Sequence, residues 1–174
     1  ADELFWDTDG GGYFFTAGDH ETLIARSKEL RDSATPSGNS VMLMNLLRIA
    51  AFTGAGEMRA KAERMIATFA GEALGNIGAS ERFLQAVDFA LTQPIELAIV
   101  GSPGDIRTQA LLRAAYETYL PNRIVALLNP SDPAAAIDSP LLRGRVSVDG
   151  APAAYVCRSF ACRLPVKTPE ELQR

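Results

Sequence analysis

The feature that most constrains the fold is a change of pattern at Gln93 and Pro94. Before these residues, apolar side chains recur at helical spacing, and the most apolar stretch is apolar nearly all round, which indicates burial on most sides. After them, short aliphatic runs alternate with a helical pattern. We predict helices at residues 21–31, 41–53 and 80–91. A further helix should begin after the short link at residues 54–56.

The second part of the chain predicts a strand–helix–strand unit. Residues 95–101 and 123–128 are typical of strands and flank a helix at 107–119, so the strands should be parallel with a right-handed crossover. An Asp-Gly turn favours a hairpin between residues 145–150 and 153–160. Thr168 and Glu171 form a capping-box signature. The predicted fold is mainly α with an α/β tail, divided into residues 1–93 and 94–174.

Composition excludes some classes of function. The chain has 174 residues, a net charge of −4 and no concentration of Lys and Arg, so we expect no nucleic-acid partner. No apolar run reaches the roughly 18 residues of a membrane span, and no signal-peptide pattern opens the chain. Because the sequence holds only 2 cysteines, we expect a reducing compartment, the cytoplasm. Nothing predicts a cofactor. The missing initial Met suggests a piece of something longer.

Three glycines, at residues 10–12, run into Tyr13 and two phenylalanines. The twelfth residue counted from Asp7 is Gly18, which excludes an EF-hand, and neither a dinucleotide nor a phosphate-loop spacing is present. A structural turn and a ligand loop both remain open. If the glycines only pack rings, Tyr13 should be buried far from Asn39. If they shape a site, the two residues should share a cavity.

Cys157 and Cys162 are separated by four residues. Zinc would need further ligands, and the single histidine is distant in sequence, so no metal site is expected. The simplest interpretation is two small buried thiols. The alternative is a disulfide or redox pair, which requires the intervening residues to turn back.

The densest polar stretch leads into the most apolar helix. A polar loop at the mouth of such a helix suits a sugar-like ligand, while the alternative is a surface helix followed by a capping loop. The candidate ligand-binding residues are Arg26, Lys28, Ser37 and Asn39, with Tyr13 from the glycine segment. A further candidate is an anion site at residues 102–105, which join a predicted strand to a helix.

Several of these stretches together resemble one family. They are GGGYFFT and ATPSGNS near the beginning, and YLPNRIVALL, PLLRGR and AYVCRSFACRLPVKTPEELQ further on. They are similar to the C-terminal part of the thioredoxin-domain-containing, spermatogenesis-associated proteins, whose bacterial members are called YyaL-like. The resemblance covers almost the whole chain. One departure is Ser33, where the family pattern has Gly.

The resemblance implies a longer protein with a thioredoxin-like domain followed by a six-hairpin, glycosidase-like (α/α)6 toroid. This chain would hold the last hairpins of the toroid and the α/β tail. The expected partners are then the preceding portion of the same protein or a second copy, besides a sugar ligand. If the protein is an enzyme, it would be epimerase- or glycosidase-like, with Asp9 and Asp32 as the acid and base. The alternative is a non-enzymatic scaffold for a thioredoxin-like partner, with a redox-responsive cysteine pair.

Overall fold

A computed structural model describes residues 1–21, 25–132 and 138–173. The chain forms two compact units, Ala1–Ala50 with Ala55–Leu91, and Ala51–Gly54 with Thr92–Arg174. The helices are α1 (Asp2–Phe5), α2 (Gly38–Thr53), α3 (Gly56–Gly75), α4 (Glu81–Leu91), α5 (Ile106–Glu117) and α6 (Pro169–Leu172). The strands are β1 (Ile95–Val100), β2 (Arg123–Leu128), β3 (Ala153–Arg158) and β4 (Ala161–Cys162), and a 3-10 turn spans Ile77–Ala79.

The first unit has a core of apolar helix faces. Leu43 and Leu47 of α2, Met65 of α3 and Phe83 of α4 are fully buried. Phe69 meets the ring of Phe83 edge to face, with 6.3 Å between the ring centres. The helices predicted after residue 40 are therefore confirmed. Leu91, the last residue of α4, is 82% exposed.

The predicted helix at residues 21–31 is wrong for its described part, because residues 25–31 form no helix. Residues 22–24 lie outside the described residues. The segment instead bonds to distant backbone: the Phe15 amide donates to the Ser27 carbonyl at 2.8 Å, and Lys28 donates to the Gly11 carbonyl. These long-range hydrogen bonds replace the local ones that a helix would make.

The second unit is built on a four-stranded sheet of order β2-β1-β3-β4. The β1–β2 pair is parallel, as predicted, and the other two pairs are antiparallel. Helix α5 covers one face, where Leu111 and Ala115 pack with Leu97, Ile99 and Ala154. The capping box of α6 is confirmed, since Thr168 and Glu171 satisfy each other's backbone amides.

The predicted hairpin before β3 is mostly wrong. Residues 145–150 form no strand, and a single bridge joins Val148 to Ala151 around the turn. The antiparallel partners of β3 are β1 and β4. The physical reason is burial: pairing with β1 places Val156 opposite Leu97, so that Leu97 is buried and Val156 partly buried in the apolar cluster against α5, which a solvent-exposed hairpin could not do.

Helices joined to a small mixed sheet agree with the predicted class of α structure with an α/β tail. The toroid arrangement of the helices stays a prediction. None of the described helices is both long enough and apolar enough to cross a membrane.

Candidate functional site

The glycine segment makes a tight turn against α3. Gly11 and Gly12 adopt φ angles of +74° and +83°, which favour glycine. A Cβ atom on Gly12 would lie 2.7 Å from the ring of Phe69, so this glycine also permits a close approach. The turn brings Trp6 opposite Tyr13 in a backbone bridge, with their rings edge to face.

Tyr13 and Asn39 are directly bonded. The Tyr13 amide donates to Asn39 Oδ1 at 2.7 Å, and Asn39 Nδ2 donates to the carbonyls of Tyr13 and Glu29, each at 2.9 Å. Tyr13 is only 6% exposed, and its hydroxyl donates to Asp2. Burial, together with this bond to Asp2, raises the pKa of Tyr13. The turn thus orders its own rings and also places Tyr13 beside Asn39.

Tyr13 and Asn39 also line one cavity of about 340 Å³ in the first unit, as a site shaped by the glycines requires, and the binding of a ligand there stays a prediction. Predicted Ser37 lines it as well, with its hydroxyl bonded to Ser40. Besides Ser33 and Thr35, the polar wall includes the exposed, charged side chains of Glu29 and Arg31. Within the described residues, neither of these two side chains has a hydrogen bond or ion pair. The apolar wall is Phe5, Phe14, Phe15 and Met42.

The predicted carboxylate pair is not found on this wall. Asp32 accepts hydrogen bonds from the amides of Ser37 and Arg82, both at 2.8 Å, so its two oxygens fasten the loop to α2 and α4. Asp9 is exposed at the glycine turn. Neither residue lines the cavity, and their acid–base role stays a prediction.

Predicted Arg26 and Lys28 hold the same loop together. Arg26 donates to the carbonyls of Leu4 and Thr16, and its guanidinium lies 4.1 Å from the centre of the Phe14 ring. Lys28 pairs with Asp7 at 2.7 Å. The hydrogen bond from the Gly10 amide has the largest effect on the pKa of Asp7 and the hydrogen bond from Lys28 the next largest. Together they lower this pKa to about 2. Lys28 also lines a shallower depression that shares Phe15, Glu29 and Arg31 with the cavity.

The second unit contains a disulfide between Cys157 and Cys162, so the interpretation as two free thiols is wrong. The two residues are cross-strand partners in β3 and β4, joined by a turn in which Ser159 and Phe160 have φ angles of 47° and 64°. Such angles are costly for residues other than glycine. The Phe160 amide donates to the buried Glu96 carboxylate at 2.8 Å, which helps to hold the turn.

The other candidates have simpler roles. At residues 102–105, Asp105 caps α5 by accepting from the Arg107 amide and pairs with the Arg107 guanidinium. The Asp105 carboxylate therefore occupies the position at the start of α5 where an anion would bind. Among the described residues, no cluster of three or more His, Cys, Asp and Glu side chains is placed to hold a metal ion.

No family model matches the sequence. The chain is similar to Spermatogenesis-associated protein 20 of Homo sapiens, with 31% identity over 99% of this chain and 22% of the relative. The same protein of Mus musculus is 32% identical over the same shares. The Rattus norvegicus protein is again 31% identical. These proteins are homologues of the chain, and the chain spans about a fifth of their length.

The candidate residues named from the sequence left out four polar residues that the structure places at these sites. Glu29 and Arg31 line the cavity, and Glu96 and Arg145 lie near the disulfide. The alternation of Glu29 and Arg31 around buried Leu30 was a usable signal, because it fits an extended segment better than a helix. No local pattern marks Arg145.

Proposed function

We propose that the cavity around Tyr13 and Asn39 binds a carbohydrate. The observation that carries this proposal is the convergence of aromatic rings with two uncommitted charged groups, Glu29 and Arg31, on one cavity. Ligand sites typically combine an apolar wall with a few polar groups that fix orientation. The chain is also similar to Spermatogenesis-associated protein 20, which supports the family resemblance given above. That resemblance implies a glycosidase-like toroid and hence a sugar ligand.

The chemistry of the wall suits a sugar ring. Phe15 is 72% exposed, so a face of its ring can pack against the C–H face of a pyranose. The Glu29 carboxylate can accept hydrogen bonds from hydroxyl groups, and the Arg31 guanidinium can donate them. Tyr13 and Asn39 use their polar groups within the protein, so their role would be to fix the wall.

The geometry supports binding rather than acid–base catalysis by this chain alone. Two carboxyl groups are needed on either side of a glycosidic bond, and among the cavity-lining residues Glu29 is the only acidic one. We therefore propose binding as the function of this unit. In a glycosidase-like toroid, a further carboxylate would come from the part of the protein that this chain does not span.

To test the proposal, the chain is titrated with a panel of neutral mono- and disaccharides. Binding is monitored by changes in NMR chemical shifts and in the thermal unfolding temperature. We expect one class of sugar to shift the resonances of residues 13–15 and 29–31. Glu29→Gln and Arg31→Gln should each weaken binding about tenfold, which corresponds to one good hydrogen bond to a charged group. Arg113→Gln, an exposed change in the other unit, is the control. Absence of binding to the whole panel would reject the proposal.

A second candidate function is supported by the disulfide. We propose that the α/β tail serves as a scaffold for a thioredoxin-like partner domain and that Cys157–Cys162 responds to that partner's thiols. In a reducing cytoplasm, which we propose as the location, disulfides are usually catalytic or redox-sensing. Counting thiols before and after treatment with reduced thioredoxin tests this function. A disulfide that resists reduction in the folded chain would reject it.

A further inference from the structure

The sheet register places three reactive groups in one row. Glu96 of β1 is opposite Cys157 of β3, and Cys157 is opposite Cys162 of β4. Directly opposed residues have Cβ atoms about 5 Å apart and point to the same face of a sheet. A carboxyl group therefore lies beside the disulfide, on the face opposite to α5.

The two sulfur atoms have different surroundings. Cys157 is 1% exposed, whereas Cys162 lies on the edge strand and is partly exposed. Arg145 Nη2 lies 2.8 Å from the Cys162 sulfur. The same guanidinium lies 5.3 Å from the centre of the Tyr155 ring, which helps to hold it in place. The less buried cysteine is thus the one with a positive charge beside it.

Glu96 is a buried acid next to the buried sulfur. It is 3% exposed, and its carboxyl group accepts a hydrogen bond from the Phe160 amide. Burial raises the pKa of Glu96, against the smaller opposite effect of that amide. A larger share of Glu96 is therefore protonated than of an ordinary glutamate, and a protonated carboxyl can donate its proton to a thiolate.

We propose that Cys157–Cys162 is a thiol–disulfide exchange site at which an incoming thiolate attacks the Cys162 sulfur. The inference rests on the second candidate function and deepens it by naming the attacked atom. The thiolate forms a bond to Cys162 Sγ while the bond between the two cysteines breaks and Cys157 leaves as a thiolate. Glu96 supplies the proton that Cys157 takes up. Arg145 attracts the incoming anion and stabilises charge on the Cys162 sulfur.

A second thiolate of the same reductant completes the reaction. It attacks the reductant sulfur in the mixed disulfide and releases Cys162 as a thiolate beside Arg145. The net change converts the protein disulfide to two thiols and a dithiol to its disulfide, with two electrons transferred. The substrate class is therefore a dithiol. With a monothiol, a second molecule has to attack the mixed disulfide on Cys162, so acid quenching before that step retains the monothiol there.

The site of attack can be mapped on the unmodified chain. The folded protein is treated with reduced glutathione as a monothiol probe, quenched in acid, alkylated and digested with trypsin. Cleavage after Arg158 and Arg163 separates the two cysteines into peptides 146–158 and 159–163. We expect glutathione on peptide 159–163 at about tenfold excess, because the less buried cysteine is attacked first. Equal labelling, or an excess on 146–158, overturns the inference while leaving the redox function intact.

Arg145 and Glu96 are tested by rates of reduction with dithiothreitol. Arg145→Gln should slow exchange about tenfold, Arg145→Lys about twofold, and Arg143→Gln, which changes an exposed neighbour paired with Asp138, not at all. Glu96→Gln keeps an acceptor for the Phe160 amide but has no carboxyl proton, so it should slow exchange without lowering stability. Unchanged rates in Arg145→Gln and Glu96→Gln overturn these roles. No exchange with either probe in the folded chain rejects the inference and the redox function together.

Discussion

Replacing Gly12 by Ala tests whether the glycine turn fixes the first unit. At the φ of +83° found there, a side chain costs about 1–2 kcal/mol. The new Cβ would also lie 2.7 and 2.8 Å from two ring atoms of Phe69. That ring is buried and packs on Phe83, so overpacking adds about 1–3 kcal/mol. The free energy of unfolding should therefore fall by about 2–5 kcal/mol, a large part of the stability of an ordinary domain.

Gly71→Ala is the matched control. Gly71 lies inside α3, and a Cβ there would meet nothing within 4 Å. Removing a helical glycine should raise the free energy of unfolding by about 0.5–1 kcal/mol, so the same chemical change has opposite signs at the two positions.

The assay is urea unfolding, followed by far-ultraviolet circular dichroism and by the fluorescence of Trp6. Trp6 is the single tryptophan, and its ring lies 5.1 Å from that of Tyr13, so it reports on the turn. The reasoning is refuted if Gly12→Ala unfolds at the wild-type urea concentration, or if both substitutions shift the midpoint in the same direction by the same amount.

Three further predictions concern single side chains. The pKa of Asp7 is lowered to about 2 in the folded chain, so its carboxylate should stabilise the fold by about 1–2 kcal/mol near neutral pH. This stabilisation should disappear as the pH falls from about 4 to about 2. The urea midpoint of Asp7→Asn should therefore fall less over that pH range than the wild-type midpoint. Asn39→Asp removes the buried donor to Tyr13 and Glu29 and should cost about 3 kcal/mol or more in urea unfolding, whereas a cost under about 1 kcal/mol would contradict the buried network. Because burial raises the pKa of Glu96, its contribution to stability is present at low pH and lost as pH rises through the folded pKa; Glu96→Gln should therefore melt above wild type at about pH 8, and a lower melting temperature there would contradict this sign.

The helices after residue 40 and the β1–α5–β2 unit were predictable because their signals are local. Apolar spacing marks α3, and Gly54, with a φ of +72°, directly follows α2 where the pattern ends. The Thr168–Glu171 capping box needs only four consecutive residues. In each case the residues that decide the structure are neighbours in the chain.

The candidate site was only partly predictable. The polar stretch and the glycine segment were recognised, and the structure bonds Asn39 to Tyr13 across 26 positions of sequence. The roles of the single residues within the polar stretch could not be predicted from the sequence. In the structure, backbone amides donate hydrogen bonds to both carboxylate oxygens of Asp32, whereas the Glu29 carboxylate accepts none from the described residues. A carboxylate's availability depends on which amides the fold brings to it, and spacing does not contain this information.

The sequence by itself determined that the chain combines helices with a small sheet, that α2 ends at Thr53 and α4 at Leu91, and that β1 and β2 are parallel. Tertiary structure alone decided that residues 25–31 form no helix, that β3 pairs with β1, and that Cys157 is bonded to Cys162. Each of these outcomes depends on hydrogen bonds or apolar contacts between distant segments. Their free energy exceeds the local preference for a helix in the first case and for the Asp-Gly hairpin in the second, and only the folded chain makes those contacts.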